Sequence, residues 1–146
     1  MLKAAELISK KYRHLVNAAT MLGQSKNAYQ AEIDAACESV DFLRFGAYTA
    51  SYIYEWQPSS GGDCVNRVEY RPLEGFVFAV SPFNFTSTAL NLVASVVLMG
   101  NVVVWKPATT SLLSNYYLMK VFKEAGVPDG VINFLPGQGS EIGEVV

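Results

Sequence analysis

A run of 31 residues without a charged side chain, from 75 to 105, constrains the fold more than any other part of this sequence. Residues 75–80 are apolar and of strand length, and this strand must end before Pro82, because proline fixes its own backbone and disfavours helix in the residue before it. Apolar residues then recur at helical spacing until Gly100, and the β-branched and apolar residues 102–105 follow. The run therefore predicts strand, helix and strand, which is a parallel βαβ unit of an α/β fold.

The helix inside this run has its own predicted features. Thr86 and Ser87 are expected to cap it, because their hydroxyl groups can accept the unpaired N–H groups of a first turn. Leu92 and Met99 lie off the main apolar stripe, so the helix is predicted to be buried nearly all round. A charge-free run of this length could also be a membrane span, but its proline, asparagine and glycine residues divide it into pieces that are too short.

The chain before the run predicts helices. Residues 1–24 form a helical stretch closed by Gly23, which the polar patch 9–14 could divide into two helices. Residues 26–56 form a long helix with a weak point at Gly46. Residues 66–71 alternate between charged and apolar side chains, which predicts a half-exposed strand.

The chain after the run predicts a helix over 111–125 and a buried strand over 131–135. The loop 136–143 follows and opens another helix. Its glycines are spaced G-x-G-x-x-x-G, one residue longer than the dinucleotide-binding fingerprint, so the loop alone is a weak signal.

Two strand ends carry the polar residues of this unit. In sheets of this kind, the working residues lie beyond the carboxyl ends of the strands. The first strand is followed by residues 81–85, which include Asn84, and the second ends at Lys106. An amide beside a lone cation suits a nucleotide ligand and a reacting carbonyl. Taken singly, Asn84 could equally belong to an Asx turn, and Lys106 could be a solvated strand-end lysine.

Composition excludes several classes of protein. The 146 residues suffice for one domain with a core, and a mean hydropathy of +0.20 with 51% hydrophobic residues is high for a small soluble domain. The net charge of −2 gives no sign of a nucleic-acid or anionic-membrane partner. Two cysteines without motif spacing and one histidine predict neither a disulfide framework nor a metal site. The first residues lack the pattern of a signal or transit segment.

The blocks SPFNF and GNVVVWKP resemble the aldehyde dehydrogenase superfamily, which carries a Pro-aromatic-Asn-aromatic loop and then a strand ending in Lys-Pro. The blocks AATMLGQ, QAEIDAA and EYRPLEGFV are similar to one branch of it, the L-glutamate γ-semialdehyde (Δ1-pyrroline-5-carboxylate) dehydrogenases of proline breakdown. This resemblance covers essentially the whole chain. It implies a helical segment (1–56), a linker with a strand of the oligomerisation flap (57–72) and an incomplete Rossmann-like NAD-binding βαβ region (73–146).

The resemblance also implies roles for single residues. Asn84 would be catalytic, donating a hydrogen bond to the oxyanion that forms when the aldehyde is attacked on its way through a thiohemiacetal to a thioester. Glu38 would meet the amino group of the substrate and Phe85 would pack beside its aldehyde chain, although a solvated helix face explains Glu38 as well. The residues expected to bind NAD are Val80, Ser81, Pro82, Phe83, Lys106, Thr109, Gly139 and Gly143. Many relatives have a glutamate in place of Thr109, so NAD rather than NADP follows from the branch alone.

The family's nucleophilic cysteine and general-base glutamate are expected beyond residue 146. Neither Cys37 nor Cys64 lies in the Gly-Gln-x-Cys setting that the family uses. The chain is therefore predicted to be an internal fragment of an enzyme and to be inactive by itself.

Several alternatives stay open at this point. The chain could belong to an aldehyde dehydrogenase of different substrate, to a non-catalytic dinucleotide-binding module, or to a membrane-associated protein that uses the charge-free run. The expected partners are a small aldehyde and further copies of the full-length chain, without nucleic acid or membrane. The compartment would be the cytoplasm in a bacterium and the mitochondrial matrix in a eukaryote.

Overall fold

The computed structural model describes residues 1–145, which form an α/β fold. The N-terminal helices pack against two later helices, which contact each other, and the first of these two helices also packs on a three-stranded sheet. The helices are α1 (Leu2–Leu7), α2 (Arg13–Gln24), α3 (Ala28–Ala31), α4 (Glu38–Glu55), α5 (Thr86–Leu98), α6 (Leu112–Ala125) and α7 (Gly139–Ile142). The strands are β1 (Phe76–Val80), β2 (Val102–Lys106) and β3 (Ile132–Phe134). The division into 1–56, 57–72 and 73–146 stays a prediction, and residue 146 lies outside the described residues.

The first helical stretch is confirmed but ends differently than predicted. A π-helical segment, Ile8–Tyr12, joins α1 to α2, and α2 continues through Gly23 to Gln24. The stop is Ser25, whose left-handed backbone (φ 53°) ends the helix. Gly23 instead allows a close contact, because a Cβ there would lie 3.4 Å from the Thr110 carbonyl oxygen.

The second helical stretch runs from α3 through a π-helical segment, Glu32–Cys37, into α4. Asn27 begins it with a capping box, in which its side chain accepts from the Gln30 N–H and the Gln30 side chain accepts from the Asn27 N–H. The weak point predicted at Gly46 is wrong, since α4 is continuous there. A Cβ at this position would lie 3.5 Å from Leu98, so the glycine lets α4 approach α5 closely.

The sheet confirms the predicted parallel βαβ arrangement. The strands are ordered β1-β2-β3, and both neighbouring pairs are parallel. Helix α5 connects β1 to β2, and α6 connects β2 to β3. Gly100 (φ +82°) follows α5, and Gly126 (φ +97°) ends α6 in the left-handed conformation, as expected of helix C-terminal glycines.

The strand predicted over 66–71 is wrong. Residues 56–74 form no regular secondary structure, and all of them are exposed. A strand needs a neighbour that accepts its ladder hydrogen bonds, and here a side chain takes that place. The Gln57 side-chain amide accepts from the Val68 N–H (2.9 Å) and donates to the Val68 carbonyl (3.3 Å).

Two predictions for α5 are also wrong. Phe85 is its N-terminal cap residue, and no side chain caps the first turn, because the hydroxyl groups of Thr86 and Ser87 bond to the N-terminal helices instead. The helix is not buried all round, since Leu92 is 39% exposed. The buried core lies between α5, α6, the sheet and the N-terminal helices. Its largest fully buried side chains are Trp105, Phe122, Ile8, Leu43, Leu90 and Leu118.

Over residues 1–145, we find no helix with the combination of length and apolar character that crossing a bilayer requires.

Candidate functional site

The carboxyl ends of β1 and β2 lie side by side. In the parallel register Val80 is opposite Lys106, and the Ser81 N–H donates to the Lys106 carbonyl oxygen at 3.1 Å. The two loops that follow these strands therefore start at one edge of the sheet, as the sequence predicts. This edge is the place where ligands bind in open α/β sheets.

Ser81 is the first residue of the loop that follows β1. It is 2% exposed, and its Oγ accepts a hydrogen bond of 3.0 Å from the Trp105 indole N–H. Trp105 is completely buried and packs edge-on against Phe134, with ring centroids 5.0 Å apart. The loop thus leaves the sheet from a fixed point.

The rest of this loop is open to solvent. Val80 is 54% exposed, Phe83 is 63% exposed, and Pro82 and Asn84 are also exposed. Among residues 1–145, the Asn84 side chain has no hydrogen-bond partner, so its amide is not used for an Asx turn. A side-chain N–H in this position is available to a ligand.

Phe85 ends the loop and is held by residues that the sequence analysis missed. The Lys26 ammonium lies over its ring, 3.8 Å from the centroid, and also pairs with the Asp34 carboxylate. Both charged side chains are mostly buried. No local spacing signals this contact, because Lys26 lies in the turn between two helices, whereas Phe85 lies far along the chain.

Glu38, the first residue of α4, contacts the first turn of α5. Its Oε2 accepts a hydrogen bond of 2.7 Å from the Ser87 hydroxyl group. The neighbouring Thr86 donates to Gln24 at 2.9 Å and contacts the Thr20 hydroxyl at 2.8 Å. These bonds connect the start of α5 to the N-terminal helices. Because Ser87 follows directly after Phe85 and Thr86, they also place Glu38 near the loop that carries Asn84.

Lys106 lies at the end of β2 and is 9% exposed. Its ammonium donates to the Pro107 carbonyl at 3.2 Å, which leaves donor capacity for a ligand. A Cβ built on Gly139 would lie 3.9 Å from this nitrogen, so the loop 136–143 passes close by. At Gly143 a Cβ would lie only 2.9 Å from the Gly139 carbonyl oxygen, so this turn requires glycine.

An open cavity of about 640 Å³ lies between the start of α6 and the end of β3, and its size is typical of a small-molecule site. Thr109, exposed in the short 3₁₀ turn Thr109–Ser111, is one of its lining residues. The full lining is Thr109, Thr110, Leu112, Leu113, Tyr116, Phe134 and Pro136.

A polar cluster away from the sheet edge contains Cys37. Burial raises the pKa of the Cys37 thiol, and a hydrogen bond to Glu32 raises it further. The pKa of the Glu32 carboxyl is lowered, chiefly by the hydrogen bond from Arg13. A protonated thiol is a poor nucleophile, so this cysteine does not have the properties of a catalytic one. In the part of the chain that the structure describes, no group of three or more potential metal ligands occurs.

Comparison with known proteins relates the whole chain to one family. The model of the Aldehyde dehydrogenase family matches residues 1–146. Over 142 residues the chain is 60% identical to Delta-1-pyrroline-5-carboxylate dehydrogenase of Agaricus bisporus. The matched region covers 97% of this chain and 26% of that protein. Over 144 residues it is 56% identical to the mitochondrial Delta-1-pyrroline-5-carboxylate dehydrogenase of Dictyostelium discoideum, covering 98% of this chain and 26% of that protein.

The fold agrees with this relationship. The structure of Delta-pyrroline-5-carboxylate dehydrogenase from Mycobacterium tuberculosis bound with NAD matches with a TM-score of 0.96 and 52% identity, over 99% of this chain and 27% of that one. The NADP complex of NADP-dependent glyceraldehyde-3-phosphate dehydrogenase from Bacillus halodurans matches with a TM-score of 0.81 and 28% identity, over 98% of this chain and 31% of that one. The chain thus spans about a quarter of the length of the curated relatives that it matches. It belongs to the aldehyde dehydrogenase family.

Proposed function

We propose that the protein oxidises L-glutamate γ-semialdehyde to L-glutamate with NAD⁺, a step of proline degradation, and that this chain supplies its oxyanion donor and part of its cofactor and substrate sites. The observation that carries the proposal is the pairing of Val80 with Lys106, which brings the Asn84 loop and a lysine to one edge of the sheet. The names of the relatives from Agaricus and Dictyostelium support the choice of substrate.

Asn84 is the candidate catalytic residue of this chain. Attack on an aldehyde turns the carbonyl oxygen into an oxyanion, and a preorganised N–H donor stabilises that charge more than it stabilises the neutral substrate. The Asn84 amide is exposed and makes no hydrogen bond to another residue among 1–145. The loop that carries it begins at Ser81, which the hydrogen bond from Trp105 holds in place. The amide is therefore free to donate to a substrate oxygen.

The residues at the sheet edge fit a dinucleotide. The Lys106 ammonium has spare donors for the hydroxyl groups of a ribose. The nearby turn has glycines at 139 and 143, so no side chain at these positions would keep a ligand away from the turn's backbone. The cavity next to Thr109 has room for a flat ring system. Val80, Ser81, Pro82 and Phe83 would then form the wall toward the nicotinamide end. When bound, NAD⁺ supplies the acceptor for the hydride that leaves the substrate carbon.

Glu38 and Phe85 are the candidate substrate contacts. L-Glutamate γ-semialdehyde carries an ammonium group, which a carboxylate on a rigid helix can pair with. The Ser87 hydroxyl group orients Glu38 toward the start of α5, and Phe85, 36% exposed, offers an apolar surface beside Asn84. An aldehyde that lacks the amino group gains nothing from Glu38, so selectivity is expected at this end of the site.

The names of the relatives bear on the compartment. The Dictyostelium relative is named mitochondrial, as is that of Emericella nidulans. We infer the mitochondrial matrix for a eukaryotic source and the cytoplasm for a bacterial one, with a homo-oligomer of the full-length protein. Sedimentation of the complete protein and fractionation of its source cells test both inferences.

The test of function uses the complete protein, with L-glutamate γ-semialdehyde and a simple aldehyde such as propanal as substrates and NAD⁺ or NADP⁺ as cofactor. We expect kcat/KM to be highest with the semialdehyde and NAD⁺. The Asn84→Ala variant should lower kcat by about 10²–10³-fold with little change in NAD⁺ affinity, because the amide acts on the developing charge.

The matched control is Asn91→Ala, a second asparagine, on α5, whose side chain bonds only to Ser95 among the described residues. Its kcat should stay within about twofold of the unmodified protein. Equal kcat/KM for propanal and the semialdehyde would favour an aldehyde dehydrogenase of different substrate. NAD⁺ binding without turnover would favour the non-catalytic module.

A further inference from the structure

A mostly buried cation holds the far end of the loop that carries Asn84. The Lys26 ammonium lies 3.8 Å from the centroid of the Phe85 ring and pairs with the Asp34 carboxylate. The exposed fractions of the Lys26 and Asp34 side chains are 13% and 18%. An ammonium removed from water interacts more strongly with both a carboxylate and an aromatic face than an exposed one does.

The turn that carries Lys26 is fixed on both sides. Ser25 before it adopts the left-handed conformation, and Asn27 after it forms the reciprocal capping box with Gln30 at 2.9 and 3.0 Å. The lysine therefore extends from a short turn of defined backbone. Placing the lysine against Phe85 therefore costs less backbone entropy than it would from a loose loop.

Asp34 is placed by an irregularity of its helix. It lies in the π-helical segment Glu32–Cys37, where each backbone hydrogen bond spans one residue more than in an α-helix. Short π-helical segments of this kind are frequent at functional sites, because the extra residue redirects the side chains around it. The same segment leads directly into Glu38, the candidate contact for the substrate's amino group.

The loop between β1 and α5 is thus anchored at two points. At its start, the buried Ser81 accepts from Trp105, and at its end Phe85 lies against the Lys26 ammonium. The residues between these anchors are exposed and include Asn84. The place of the Asn84 amide follows from the two anchors, since neighbouring residues of a short loop move together.

We propose that Lys26, oriented by Asp34, is a positioning residue for the aldehyde site: its ammonium holds the Phe85 ring and thereby sets the place of the Asn84 amide. This inference rests on the function proposed for Asn84. Lys26 itself is not a catalytic residue, because it acts through Phe85. Misplacement of a reacting group by about 1 Å can cost about 10²-fold in rate, so a weakened anchor is expected to be visible in kcat.

The test compares variants of the complete protein. Lys26→Met keeps the length and apolar stem but removes the charge, and Asp34→Asn keeps the shape of the partner. Each should lower kcat for the semialdehyde by about tenfold and leave the KM for NAD⁺ within about twofold. Lys26→Arg should retain most of the activity, because a guanidinium can stack on the ring and pair with the carboxylate.

The control and a double-mutant cycle separate positioning from general stability. Lys10→Met removes an exposed lysine that pairs with Glu6, and it should leave kcat within about twofold. In an Asn84→Ala background, Lys26→Met should lower kcat by less than about a further twofold, because the group that it positions is gone. A purely structural role would lower kcat by the same factor in both backgrounds.

The outcomes separate this inference from the proposed function. Equal losses in both backgrounds, or unchanged kcat in Lys26→Met and Asp34→Asn while Asn84→Ala is impaired, would overturn the positioning role alone. Unchanged kcat in Asn84→Ala would overturn the oxyanion role and the positioning role together. If Lys26→Met does not fold, the same cycle with Asp34→Asn decides the question.

Discussion

Replacing Ser81 with alanine removes the side-chain hydrogen bond at the start of the loop that carries Asn84. The Trp105 indole N–H donates to the Ser81 Oγ at 3.0 Å. Trp105 is fully buried, so no water can replace this acceptor. The backbone bond from the Ser81 N–H to the Lys106 carbonyl does not depend on the side chain and remains in the variant.

The expected cost follows from the buried donor that is left unpaired. A buried N–H group without an acceptor costs about 1–3 kcal/mol, more than the net contribution of the same bond when both partners are present. We therefore expect Ser81→Ala to lower the free energy of unfolding by about 2 kcal/mol, which is about a 30-fold change in the unfolding equilibrium. Ser95→Ala, on the exposed face of α5, is the matched serine control and should change stability by less than about 0.5 kcal/mol.

The assay is urea unfolding followed by far-ultraviolet circular dichroism, which reports the helices. A cycle with Trp105→Phe isolates the hydrogen bond, because phenylalanine has no N–H to leave unpaired. In that background Ser81→Ala should cost less than about 0.5 kcal/mol. A cost for Ser81→Ala that is equal in the two backgrounds, or that is near zero with Trp105 present, would refute the reasoning.

Two further predictions concern the polar cluster around Cys37. Iodoacetamide should alkylate the exposed Cys64 first and Cys37 slowly, because burial and the Glu32 hydrogen bond raise the pKa of the Cys37 thiol. Mass spectrometry of the intact chain and its peptides measures both alkylation rates. Equal rates would contradict the expectation. The hydrogen bond from Arg13 lowers the pKa of Glu32 below its ordinary 4.5, so Glu32 stabilises the fold above that pH and loses this contribution as the pH falls further. Urea unfolding at decreasing pH should show a shallower loss of stability in Glu32→Gln than in the control Glu141→Gln, and identical slopes would disprove the link.

Much of the fold was predictable because local rules and the tertiary structure agree. The run 75–105 has one apolar strand on each side of a helix, and Pro82 and Gly100 divide it at the observed places. The parallel pairing of the two strands followed from the length of the connecting helix. The edge of the sheet that carries Asn84 and Lys106 could therefore be predicted before the structure.

The failed predictions for residues 66–71 and for the cap of α5 share a physical cause, which is that the outcome depends on groups outside the local segment. Residues 66–71 have a strand pattern, but the described residues offer no neighbouring strand to pair with. Thr86 and Ser87 have the composition of caps, but hydroxyl groups bond wherever an acceptor is near, and here Gln24 and Glu38 are nearer.

The sequence by itself determined the helices, the strands of the βαβ unit and the residue types at its sheet edge, because these depend on periodicity and on the backbone limits of proline and glycine. Only the tertiary structure decided how those residues are held. The contacts of Ser81 with Trp105 and of Phe85 with Lys26 join parts of the chain that no local pattern connects. Burial of Ser81 and Trp105, and of most of Lys26, strengthens these few polar contacts, because water has little access to replace the partner.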